Sequence, residues 1–232
     1  MLCATVKNLA GKETSRHFAD ILKRKGNSVN ISLQEIYDKF AVTYEKSRGL
    51  FDMSEVLVSF YGRLEVKKGR ILDLGCGAGE PFARFFVDHG WTVTGVDFSE
   101  QMLALAAKYV PEMKTIRTDM REVEFASDNF EAITAIYSLF HIPNCNHAAL
   151  FTKFYRWLCP QGKMLFTYAT KEYTGSDEFD GYKEFLEQEL YYSHKSPEAL
   201  WADLENTGFH IESRDYRKIG GETFLWVTVS KP

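Results

Sequence analysis

From about residue 70 onward, short apolar runs of β character alternate with stretches whose apolar positions recur at helical spacing, the rhythm of a sheet with helices on both faces. RILDL is followed by a helix through PFARFFVDHG, TVTGVD by SEQMLALAAKYV, MKTIR by a loop, and FEAITAIY by NHAALFTKFYRWLCP; GKMLFTYAT closes the series. The first and fourth of these five strands are almost continuously apolar, as strands covered on both faces are. The tail breaks the rhythm. After a helix through PEALWADLENTG, FHIESRDYRKI and TFLWVTVSK flank Gly220 and Gly221, a hairpin with a glycine turn that adds an antiparallel pair to an otherwise parallel sheet. Ahead of the sheet, ISLQEIYDKFAVTYEKS places apolar or aromatic residues at 33, 36, 37, 40 and 44, one face of a helix. Residues 171–195, aromatic and acidic, are longer than an ordinary connection, and such insertions serve as lids or substrate loops.

Composition narrows the class. A chain of 232 residues with 45% hydrophobic content and 6 prolines is predicted to be one globular domain. No apolar run reaches the ~18 residues that cross a bilayer, and the N-terminal stretch lacks the apolar core of a secretory signal. Cysteines at 3, 76, 145 and 159 form no C-x-x-C pair, which fits a reducing, cytoplasmic setting and speaks against a disulfide frame or thiolate zinc site. A net charge of −4 offers phosphate backbones no general attraction, so nucleic acid is not an expected partner. Lys23, Arg24 and Lys25 read as a solvated helix end.

The candidate chemistry begins in ILDLGCGAGE, where a buried strand runs directly into Gly75, Gly77 and Gly79. In open α/β sheets ligands sit beyond the C-terminal strand ends, where strand order reverses, and glycines there let backbone approach a ligand closely. The dinucleotide fingerprint is G-x-G-x-x-G, whereas this loop reads G-x-G-x-G after Asp73. It closely resembles the first motif of the class I S-adenosylmethionine-dependent methyltransferases, hydrophobic-x-D-x-G-x-G-x-G, matched by Leu72 to Gly79. The resemblance implies a Rossmann-like seven-stranded sheet, parallel except for a C-terminal hairpin strand, with extra N-terminal helices. It further implies S-adenosylmethionine as cofactor and S-adenosylhomocysteine as product, cradled by Asp73, Gly75, Cys76, Gly77 and Gly79. Asp97, 18 positions beyond Gly79, ends the second strand, where a carboxylate can accept both hydrogen bonds of a ribose diol. By resemblance Phe98 and Met102 lie against the adenine, Asp119 and Met120 bind at its amino edge, and Tyr137 lies beneath the methionine portion. The segment Tyr137 to His141 lacks the N/D/S-P-P-aromatic motif of enzymes that methylate nucleic-acid bases or protein glutamines, and is nearer the small-molecule, quinone-biosynthesis-type branch.

The implied organisation is an N-terminal helical lid over 1–66, a cofactor-binding core over 67–170, an inserted substrate-pocket segment over 171–195, and a C-terminal helix and hairpin over 196–232. The expected partner is a small-molecule substrate rather than a membrane, the chain acting as a monomer or homodimer. A methyl acceptor bearing a hydroxyl or thiol needs a base, and a neutral histidine suits that task near neutrality; His141 and His194 are the candidates. Tyr37 and Tyr44, seven apart on one helix face, are expected over the cofactor's carboxylate end. His141, Cys145 and His147 cluster without regular zinc spacing, so no metal is expected. Two alternatives stay open: S-adenosylmethionine-binding with other chemistry or a regulatory role, and a nicotinamide-dependent reductase built on the pair Tyr191-x-x-x-Lys195.

Overall fold

The computed structural model describes residues 33–47, 52–185 and 188–232, with the side chains of 43–47, 185 and 188 outside the described set. Within these, the strands are β1 (Arg70–Leu74), β2 (Thr92–Asp97), β3 (Lys114–Arg117), β4 (Phe130–Ala135), β5 (Leu158–Tyr168), β6 (Phe179–Phe185), β7 (Gln188–His194), β8 (His210–Ile219) and β9 (Glu222–Ser230). The helices are α1 (Leu33–Ser47), α2 (Ser54–Arg63), α3 (Phe82–Asp88), α4 (Glu100–Tyr109), α5 (His147–Trp157), the one-turn α6 (Lys171–Thr174) and α7 (Pro197–Thr207). Seven strands form one sheet in the order β3-β2-β1-β4-β5-β9-β8. Pairing is parallel from β3 through β5, while β9 pairs antiparallel to both β5 and β8, so the chain has the Rossmann-like fold of the class I methyltransferases.

Alternation along each strand sends neighbouring residues to opposite faces. Leu72, Ile133, Phe166 and Leu225 join Phe151, Phe154 and Trp157 of α5 in one apolar layer; Ile71, Ala132, Leu165 and Trp226 join Phe60 of α2 and Phe86 of α3 in the other. Both faces are covered, which is why β1 and β4 lack a polar side. Strand order reverses at β1: the chain runs outward through β2 and β3 on one side and then crosses back to β4 on the other, and the C-terminal ends of β1 and β4 are where a ligand site is expected.

The inserted segment makes an element that the sequence pattern leaves unassigned. After α6 it folds into the hairpin β6–β7, a separate two-stranded sheet. Leu190 and Tyr192 of β7 pack with Ile36 and Phe40 of α1, Phe140 and Phe224 in a third apolar cluster. This cluster sits beside the C-terminal ends of β4 and β5 and joins α1, the hairpin and the main sheet.

Candidate functional site

The loop after β1 is held by β2 and by the loop after β4. Gly75 N–H and Cys76 N–H both donate to the Val96 carbonyl, at 2.7 and 3.1 Å. Gly75 has φ of 73°, and a Cβ there would lie 2.4 Å from Ser138 Cβ, so only glycine allows the two loops to meet. Gly77, with φ of 52°, has no heavy atom within 4 Å of an added Cβ; it faces open space. That space belongs to a solvent-open cleft with about 1010 Å³ of empty volume, lined by the ends of β1, β2 and β4, the turn after β3, and Tyr37 of α1.

Three carboxylates organise the floor. Asp73 is buried, and its Oδ1 accepts from the Thr134 hydroxyl at 2.7 Å. Burial pushes its pKa up to about 7, against the opposing Thr134 hydrogen bond. Asp97 accepts from Gly77 N–H through Oδ2 and from Ser99 N–H through Oδ1, both at 2.9 Å. Burial raises its pKa too, opposed by these backbone donors; each of its oxygens keeps lone-pair capacity for a ligand hydroxyl. Asp119 is pushed up by partial burial, but the hydrogen bonds from Arg121 outweigh that and leave it below the usual carboxylate range, with Arg121 Nη2 at 2.6 Å and Arg121 N–H at 2.8 Å. Phe98, Met102 and Met120 supply apolar lining beside these groups. Cys76 also lines the cleft, and burial pushes its thiol well above its ordinary value, so it is neutral rather than nucleophilic.

At the other end the segment after β4 forms the wall. Tyr137 takes a left-handed conformation, φ 53°, uncommon for a bulky residue; its N–H donates to Thr167 Oγ1 at 2.6 Å and its ring meets Phe224 and Trp226 edge-on. His141 is buried among Tyr37, Phe140 and Tyr192. Its Nδ1 lies 2.8 Å from the Tyr191 carbonyl, which can only accept, so Nδ1 carries the proton and Nε2 accepts from the Tyr37 hydroxyl at 2.9 Å. Burial, opposed by the Tyr191 hydrogen bond, lowers the His141 pKa to about 4, and the ring is neutral near pH 7. The hairpin thus fixes the tautomer of a cleft histidine 50 residues away in sequence, a role invisible to motif reading because it is a backbone carbonyl that performs it.

Of the residues singled out in the sequence, Asp73, Gly75, Cys76, Gly77, Asp97, Phe98, Met102, Asp119, Met120, Tyr137, Tyr37 and His141 line the cleft. Gly79 lies behind it: a Cβ there would meet Val110 Cγ2 at 2.9 Å, so its role is to let the loop pack on the chain after α4. Tyr44 is on α1, but its side chain lies outside the described residues. His194 is not brought to the cleft. It is fully buried at the end of β7, Nδ1 donating to the Lys195 carbonyl at 3.0 Å and Nε2 lying 2.7 Å from the Thr174 hydroxyl, which places it with the fold rather than with substrate. His147 is likewise spent internally, on the Ile142 carbonyl and the Tyr168 hydroxyl. The Tyr191 hydroxyl donates to Asp180 while the Lys195 ammonium meets Asp203, so this pair does not converge as a reductase would need. Among the described residues no three His, Cys, Asp or Glu side chains are grouped to hold a metal. Sequence reading missed Glu80, Phe82, Thr118 and Ser138, which also line the cleft; nothing in their spacing distinguishes them.

Comparison with known proteins bears on the fold. A family model described as a methyltransferase domain matches residues 71–162. Phosphoethanolamine N-methyltransferase 2 of Caenorhabditis elegans is 31% identical over 170 residues, covering 70% of this chain but 37% of the relative; the chain therefore spans well under two thirds of that protein's length. Among solved structures, an S-adenosylmethionine-dependent methyltransferase from Mesorhizobium loti superimposes with a TM-score of 0.62 at 22% identity, covering 75% of this chain and 96% of that one. The 1,6-didemethyltoxoflavin-N1-methyltransferase of Burkholderia thailandensis, solved with 1,6-didemethyltoxoflavin and S-adenosylhomocysteine, gives 0.61 at 17% identity over 88% of this chain and 93% of that one.

Proposed function

We infer that this chain, a class I methyltransferase by its fold and by its domain at residues 71–162, binds S-adenosylmethionine in the cleft and transfers its methyl group to a small-molecule acceptor beside His141. The observation that carries the reading is the floor of the cleft: Asp97 is presented by two backbone donors beside a glycine that leaves open space. The residues fit the cofactor. Asp97 offers oxygens to a ribose diol, Asp119 and Met120 line the cleft where a base would lie, and buried Asp73 meets no cationic partner among the described residues, which an α-ammonium would supply.

When bound, the cofactor provides an electrophilic methyl on a sulfonium sulfur. The chain's own part is to orient and to exclude water. Neutral His141 presents Nε2 as a hydrogen-bond acceptor, and the Tyr37 hydroxyl now bonded to it can give way to an acceptor O–H or N–H, which donates its proton to Nε2 and so leaves its lone pair free to face the methyl group.

Asp73 makes the binding step pH-dependent. A carboxyl with a pKa of about 7 is partly protonated at neutrality, and only its charged form pairs with an ammonium. Calorimetric titration with S-adenosylmethionine and S-adenosylhomocysteine at pH 6, 7 and 8 is expected to show saturable binding that tightens as pH rises through about 7 and then levels off, with proton release at pH 7 and none for NADH. Binding of NADH alone would overturn the reading.

The acceptor we infer is uncharged or cationic. Asp73 and Asp97 line the cleft, and among its described lining residues there is no lysine or arginine, so a phosphate would find no cation there to pair with. Phosphoethanolamine, the acceptor named for the worm relative, is expected to take up no labelled methyl above the acceptor-free rate; its methylation would refute this assignment.

A further inference from the structure

Two consecutive residues of α1 bond to different elements around the cleft, and the first of them, Tyr37, lines it. Tyr37 donates to His141 on the β4 side, while Asp38 turns to the β2 side, where its Oδ1 accepts from the Ser99 hydroxyl at 2.5 Å and from Gln101 N–H at 3.3 Å. Ser99 is fully buried and is the N-cap of α4, its Oγ accepting from Met102 N–H at 3.1 Å. Its backbone N–H donates to Asp97 Oδ1, and Asp97 Oδ2 takes Gly77 N–H. A hydrogen-bonded line therefore runs from α1 through Ser99 and Asp97 to the glycine loop.

A capping serine needs only its oxygen lone pair for the helix; the hydroxyl proton is left to find a separate acceptor. Here that acceptor is a carboxylate from another element, which fixes the rotation of Oγ and, with it, the turn from Asp97 to Met102. The bond also sets a negative charge beside the first turn of α4, where the helix dipole favours it. Asp38 touches no reacting group, and its effect passes through Ser99.

We propose that Asp38 is a positioning residue for the cofactor: by fixing Ser99 it holds Asp97 in its ligand-accepting pose, so that docking of α1 and seating of the ribose are one coupled event. This rests on the reading that the cleft binds S-adenosylmethionine. The consequence is that α1 is part of the cofactor site rather than only a cover over the acceptor, and Asp38 and Ser99 contribute to affinity jointly.

The test is a double-mutant cycle on S-adenosylhomocysteine affinity, measured by calorimetry with thermal melts alongside, for Asp38→Ala, Ser99→Ala, the double variant and Asp38→Asn. Each alanine change is expected to weaken binding about tenfold, by loss of a charge-assisted bond and of its cap, and the double variant to bind no worse than about the weaker single, as residues acting in one chain do. Asp38→Asn keeps an acceptor oxygen and should recover most of the affinity even if Asp38→Ala proves poorly folded. Affinity within about twofold of wild type in Asp38→Ala, or losses that multiply in the double variant, would show that Asp38 does not act through Ser99. A wild-type protein that fails to bind S-adenosylhomocysteine would defeat the underlying reading itself, a result distinct from either pattern among the variants.

Discussion

Replacing Asp97 with alanine is expected to lower affinity for S-adenosylmethionine and S-adenosylhomocysteine by about 100-fold or more, since two charge-assisted hydrogen bonds of roughly 1.5–3 kcal/mol each are lost. The carboxylate is already oriented by Gly77 N–H and Ser99 N–H, so it needs no reorganisation when a diol arrives, and the ordering cost that would reduce its contribution is avoided. Its removal has a second effect: both backbone donors lose their acceptor in a buried setting, which loosens the glycine loop itself. Asp97→Asn separates the two effects. The amide retains one acceptor oxygen of suitable geometry and loses the charge, so a loss intermediate between alanine and wild type is expected in calorimetric titration. An alanine variant that binds as wild type does would remove Asp97 from the cofactor site.

The contrast between what the sequence announced and what it hid follows from distance along the chain. The glycine loop, Asp97 and Asp119 belong to strand ends within a run of about fifty residues, where spacing and strand pattern together place them at one edge of a sheet. The seven-stranded architecture was legible for a related reason: β1, β2, β4, β5 and β9 each declare themselves by their own apolar run, and the helices and turns between them place the rest. The pairing of Tyr37 with His141 spans 104 positions and depends on how α1 docks, which local pattern does not encode. The hairpin was opaque for a different reason. FDGYKEF and QELYYSH contain Asp, Gly, Lys and Glu, residues poor in strand propensity, and their pairing is settled by tertiary contacts: the Tyr191 carbonyl on His141 and the Ser193 hydroxyl on the Ile142 carbonyl. His194 illustrates the converse error of letter-reading. It stands beside Tyr191 and Tyr192 as though in a pocket wall, yet alternation along β7 and the Thr174 contact turn it inward.

His141→Ala is expected to lower kcat by about 100-fold, the lower end for loss of a positioned proton acceptor, while leaving the affinity for S-adenosylhomocysteine within about threefold of wild type, because the Asp97 and Asp73 contacts lie elsewhere. The modest figure follows from the environment. Burial holds the ring neutral with a pKa of about 4, so Nε2 is always available to accept a hydrogen bond but is a weak base; its main contribution is to orient the acceptor rather than to carry a full proton at the outset. The pH profile carries the discriminating signature. A free imidazole would protonate near its ordinary value of about 6.5 and impose a step in rate there, whereas neutral His141 predicts a kcat that stays flat between pH 6 and 8 at saturating cofactor and falls only toward its own lowered pKa. Asp73 titrates inside that same interval, but its charge governs cofactor affinity, so its effect appears in the cofactor KM and vanishes from kcat. The split between the two parameters assigns each group its step: a kcat with a clear inflection near pH 6.5, or an alanine variant retaining more than half of the wild-type kcat, would take the proton-accepting role away from His141. Tyr37→Phe supplies the companion measurement. It removes the donor now bonded to Nε2 while keeping the ring packed against Phe40 and Phe98, so its loss should be several-fold at most, since the acceptor takes over the bond that the tyrosine gives up.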